Sequence, residues 1–153
     1  MDKKEHAVRY TVWRFHPYHY CLTVLLERYV QRLERIGNVG DALAESRGKK
    51  ENIQLEKAYK HLYASGTSNV PAKLFQRRLS KELKIQSKKA NVAELQLVDL
   101  IANPSCRSLI CSKTGNAMTA PYGLRVLAIL EKNKYLKNSF TGRIEGWGTK
   151  WLP

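Results

Sequence analysis

The amino-acid sequence predicts an α/β protein with a mixed sheet flanked by helices. Three observations carry that expectation. An apolar stripe of helical period runs from Tyr18 to Ile36, and a short apolar segment, Ala42-Leu43-Ala44-Glu45, lies between turn signals. The elements then follow in the order helix, strand, helix, basic strand, helix. The 153 residues suit one domain, taken as 1–153, with an irregular tail from about residue 141.

Each element has a local reason. In the first helix Cys21, Leu22, Leu25, Leu26, Tyr29, Val30, Leu33 and Ile36 recur at three- and four-residue intervals. Pro17 suits its first turn, and Gly37-Asn38 supply a left-handed stop. Ala42 to Glu45 is too short for a helix and is expected as a buried strand. A second helix is expected over Asn52 to Ala64, closed by Gly66. Leu83-Lys84-Ile85-Gln86 alternates as a strand does. Asn91-Val92-Ala93-Glu94 has the spacing of a capping box opening a third helix, with Val92, Leu95, Leu97, Val98, Leu100 and Ile101 as its apolar face. A further helix is expected from about Leu124 to Lys132. So few strands leave sheet edges open to pairing.

Charge narrows the partners. Lys and Arg number 27 against 13 acids, a net charge of +14. Such an excess repels itself and is best tolerated against a polyanion, nucleic acid foremost. It concentrates between Lys73 and Lys89, where Lys73, Arg77, Arg78, Lys81, Lys84, Lys88 and Lys89 face a single acid, Glu82. Trp13, Tyr18, Tyr20, Trp147 and Trp151 are candidates to stack on unpaired bases, with packing as the plainer role. The longest uncharged stretch, Phe15 to Leu26, falls short of the roughly 20 apolar residues of a membrane span, so no membrane role is expected. The opening Met1-Asp2-Lys3-Lys4-Glu5-His6 has no apolar core behind it, and cytoplasm is the expected compartment.

Asp99 stands out within Leu95-Gln96-Leu97-Val98-Asp99-Leu100-Ile101-Ala102. An ionised carboxylate near a core needs a partner, either a basic side chain or a metal ion. Glu45, at the end of the short strand, poses the same question beside Arg47. Other chemistry is poorly represented. His16 and His19 have no third ligand at zinc spacing, and Cys21, Cys106 and Cys111 form no CxxC. Ser46 has no nucleophile-elbow motif around it.

Several blocks in order resemble a bacterial family catalogued as domain of unknown function 3800. They are Ala42 to Gly48, Gly48 to Asn52, Ser80 to Ile85, Lys89 to Ala102 and the tail Glu145 to Pro153. The resemblance implies a ribonuclease-H-like fold and a metal-dependent phosphodiester nuclease site. Glu45, Asp99 and, from the opening residues, Asp2 would be its catalytic metal ligands, holding Mg or Mn. Hard divalent cations take such oxygen ligands, and paired ions assist in-line phosphodiester displacement. Arg47, Lys81, Lys84, Lys88 and Lys89 are the expected nucleic-acid contacts. The chain departs from the family in lacking the first strand with its Asp-Glu-Ser motif, and in carrying Glu94 and Val98 where glycine and alanine are usual. The resemblance therefore implies a domain truncated at its N-terminus: an impaired remnant or C-terminal part of a nuclease, or a subunit whose sheet another chain, a second copy included, completes. A non-catalytic basic nucleic-acid-binding domain, or a subunit of a protein complex, is the alternative.

Overall fold

The structure is a computed structural model that describes Glu5, Val8 and residues 17–151. Asp2, Trp13 and His16 lie outside the described residues, so the expectations placed on them are not addressed by it. The fold is mixed α/β, mostly helical, with a small parallel sheet. The described residues divide into two compact units, one covering 17–95 and the other 96–151 with Glu5 and Val8.

The first unit opens with α1, Pro17–Ile36. Gly37, at φ +70°, lets the chain turn back so that the Asn38 amide donates to Leu33 O and the Gly37 amide to Glu34 O. This is the Schellman arrangement, and it satisfies carbonyls that the helix end would leave bare. The buried stripe of α1 is narrower than the sequence suggests. Leu26, Val30 and Leu33 are buried, whereas Leu25, Tyr29 and Ile36 are exposed, because the described residues cover α1 along one seam.

Strand β1, Leu43–Glu45, precedes α2, Lys49–Ser65, and the short α3, Ala72–Arg78; β2, Lys84–Gln86, follows. The strands run parallel, with Leu43 opposite Lys84, Ala44 opposite Ile85 and Glu45 opposite Gln86. Parallel neighbours need a crossover, and α2 with α3 supplies it. Where a mixed sheet was expected, the described residues form two parallel strands. β1 is half-buried rather than buried, since among the described residues it has one neighbouring strand.

Leu26, Val30 and Leu33 of α1 meet Tyr59 and Leu62 of α2, Val70 of the connecting loop, and Phe75 and Leu79. The Tyr59 hydroxyl enters this core and donates to Ser80 O at 2.6 Å, so burial leaves no unmade bond. That burial raises the Tyr59 pKa above its ordinary value.

Polar ties brace the crossover. Glu34 of α1 receives Arg77 and Arg78 from the last turn of α3, and Glu27 receives Thr67 and Asn69 from the loop before it. The Arg78 guanidinium, with Arg77 beside it, holds the Glu34 carboxyl below its ordinary 4.5. Lys84, with help from Ser80, lowers Asp41 from 3.8. A carboxyl whose pKa falls on folding contributes stability above its unfolded value, and this is lost as pH falls through the folded one. The thermal midpoint is therefore expected to drop as pH passes below about 4.5, and Glu34→Gln to flatten part of that drop in a pH series.

The second unit holds most of α4, Ala93–Thr114, then α5, Pro121–Asn133, and a tail of turns pinned by a bridge between Glu145 and Thr149. Pro104 lies inside α4 and is buried. A proline there removes the N–H that would bond the carbonyl four residues back. That carbonyl, Leu100 O, instead accepts from the Tyr122 hydroxyl of α5 at 3.5 Å. Tyr135 also donates to Ser105 Oγ at 2.8 Å, tying the chain after α5 to the middle of α4.

Candidate nucleic-acid interface

The carboxyl ends of the two parallel strands lie side by side. Pairing extends one residue past β1, where the Ser46 amide donates to Gln86 O at 2.8 Å. Asn52, in the first turns of α2, then clamps the connection: its Oδ1 accepts from the Arg47 amide at 3.1 Å, and its Nδ2 donates to Ser46 Oγ at 2.8 Å. Ser46 is thus a structural hydroxyl. Gly48 turns the chain into α2, whose first residues are Lys49 and Lys50. Beyond β2 the chain makes a single 3₁₀ turn, Lys88–Ala90, closed by Asn91 in the left-handed region at φ 52°.

This rim gathers Arg47, Lys49 and Lys50 from one strand end and Lys88 and Lys89 from the other, all exposed. Among the described residues none of the four lysines has an ion-pair partner. Two lysines at the amino end of α2 oppose the helix dipole, which favours acids there. Glu51 shares that first turn with its carboxylate beside Gly48, so the attraction to phosphate rests on the exposed ammonium groups rather than on the helix end.

The other expected cations fare differently. Lys84 is held by Asp41, and Arg77 and Arg78 by Glu34, so the basic run is partly neutralised within the fold. Lys81 is exposed without such a partner among the described residues. Trp151 is engaged: its indole N–H donates to Glu5 at 3.3 Å, and Lys113 Nζ lies 5.7 Å from its ring centre. Trp147 keeps 42% of its surface exposed.

Of the carboxylates expected as metal ligands, two lie among the described residues, one in each unit. Glu45 is half-buried at the end of β1, in the first unit, and Asp99 belongs to the second. Asp99 is exposed and, among the described residues, has neither the salt bridge nor the core setting that its apolar neighbours suggested. Those neighbours, Leu97, Val98 and Leu100, are themselves exposed. Among the described residues no three His, Cys, Asp or Glu side chains come together as a metal site. Cys21, Cys106 and Cys111 are free thiols. No helix among the described residues is long and apolar enough to cross a membrane.

Sequence reasoning did not find Asn52 as the clamp, nor the polar ladder on α4. Asp99, Asn103 and Arg107 recur at four-residue spacing, a signal that was available. No protein-family model, curated protein or solved structure matches the chain.

Proposed function

We propose that the chain binds nucleic acid through its phosphate backbone, with the carboxyl rim of β1 and β2 as the contact surface. The observation that carries this reading is the convergence of Arg47, Lys49, Lys50, Lys88 and Lys89 on adjoining strand ends. Open α/β sheets bind ligands at the carboxyl ends of their strands. Phosphate contacts of this kind position a protein without reading sequence. A net charge of +14 supplies the long-range attraction.

The experiment is a salt titration of binding to a fluorescent oligonucleotide. The log–log slope should be steep, about −0.9 per phosphate neutralised on duplex and about −0.7 on single strand. Replacing Lys49, Lys50, Lys88 and Lys89 together by alanine should lower its magnitude by roughly 3. A flat response, or a slope unchanged by the four substitutions, refutes the reading.

A ribonuclease-H-like metal-dependent nuclease is the second reading, favoured by one observation. The half-buried Glu45 carboxylate, without an ion-pair partner among the described residues, stands at the carboxyl end of a parallel strand. Adding Mg²⁺ or Mn²⁺ to the same titration separates the two, since only this reading produces shortened oligonucleotide that Glu45→Gln abolishes. A second chain completing the sheet fits either reading, because each strand has a single neighbour among the described residues.

A further inference from the structure

The second unit contains a cleft between α4 and α5 of about 330 Å³, at the small end of the 300–1,000 Å³ range of ligand pockets. Its α4 side is the ladder of Asp99, Asn103 and Arg107, which spans roughly 12 Å at 1.5 Å rise per residue. Its opposite wall is Met118 and the ring of Tyr122, which is 56% exposed, and Pro104 adds apolar surface. Among the described residues the three ladder side chains are exposed and have no hydrogen-bond or ion-pair partner, so a ligand in the cleft meets them in exchange for water alone.

We infer that this cleft takes the base of a single-stranded nucleic acid, guanine by preference, with Arg107 on the adjoining phosphate. The inference rests on the phosphate-binding reading and adds strand type and base choice to it. The polar set decides the base. A carboxylate only accepts, an amide does both, and a guanidinium only donates. Guanine presents two adjacent N–H donors, N1 and N2, and an acceptor, O6. Asp99 accepts the first two, and the Asn103 amide donates to the third. Adenine and cytosine offer the carboxylate a donor beside a lone pair, which it repels. In a duplex these edges are already paired, which selects an unpaired strand. Aromatic and apolar walls suit the faces of a base. Arg107, two turns from Asp99, is separated from the base edge as a nucleotide's phosphate is.

Fluorescence anisotropy at fixed salt, with thymine tracts carrying one central guanine, inosine or adenine, tests this. Guanine should bind roughly tenfold more tightly than inosine, which lacks the N2 amino group. Asp99→Asn should erase that preference without changing the salt slope. Gly123→Ala should do the same, because the added Cβ would collide with Met118 and drive it into the cleft. Guanosine monophosphate, titrated against amide resonances, should shift Asn103 and Gly123 but bind more weakly than the strand. If strands bind with a normal slope while all bases are equivalent and Asp99→Asn is silent, the cleft assignment alone is overturned. If the mononucleotide binds as tightly as the strand, the strand assignment is overturned. If no oligonucleotide binds at any salt, the phosphate reading itself has failed, and the cleft falls with it.

Discussion

Phe75→Ala is expected to destabilise the first unit by about 3–5 kcal/mol, the usual loss for a fully buried aromatic ring. The ring is 1% exposed and belongs to the cluster that joins α1 to the β1–α2–α3–β2 crossover. Natural domains hold only about 5–15 kcal/mol in reserve, so the loss takes a large share. Denaturant unfolding followed by far-ultraviolet circular dichroism should show a much lower midpoint with little change in slope. A loss under about 1 kcal/mol would mean that the cluster closes over the gap and the crossover does not depend on the ring. The salt-sensitive binding should weaken with the fold, since β2 reaches β1 only through this crossover. Alanine at Lys88 and Lys89 should weaken binding and leave the denaturation curve in place, since both side chains are exposed.

The elements with local signals were legible in the sequence. α1 announces itself by its period, by Pro17 at its start and by Gly37-Asn38 at its end. Glu45 at the end of one short strand, and Lys84 to Gln86 as another, were also readable from alternation and turn signals. Their parallel pairing was not, because the partners are some forty residues apart and no local rule couples them. α3 was hidden within the basic run, although Leu74 and Phe75 mark the side it packs on the core. A proline inside a helical pattern ends or kinks it, so the continuation of α4 through Pro104 had no local signal. Tyr122, from a later helix, donates to the orphaned Leu100 carbonyl. The burial expected around Asp99 is not met among the described residues. Apolar neighbours predict burial only when something covers them, and Leu97 is 59% exposed.

Gly66→Ala should destabilise the same unit by roughly 2–5 kcal/mol, for a different reason. Gly66 ends α2 at φ 69° and ψ −158°, a backbone region that residues with a Cβ scarcely enter. An added Cβ would lie 2.5 Å from Ala72 N, 2.6 Å from Val70 O and 2.9 Å from Pro71 C. These are backbone atoms, so no rotamer change relieves the contact, and the loop itself must move. That loop carries Thr67 and Asn69 to Glu27 and starts α3 at the correct angle. Gly37→Ala is the matched comparison, since its φ is +70° and its new Cβ would meet nothing within 4 Å. It should cost only about 1–2 kcal/mol, the strain of a left-handed residue. Equal midpoints for the two variants in thermal unfolding would show that the contacts at 66 are relieved cheaply. A larger drop at 66, accompanied by loss of the salt-dependent binding, would show that this turn holds the two strand ends together.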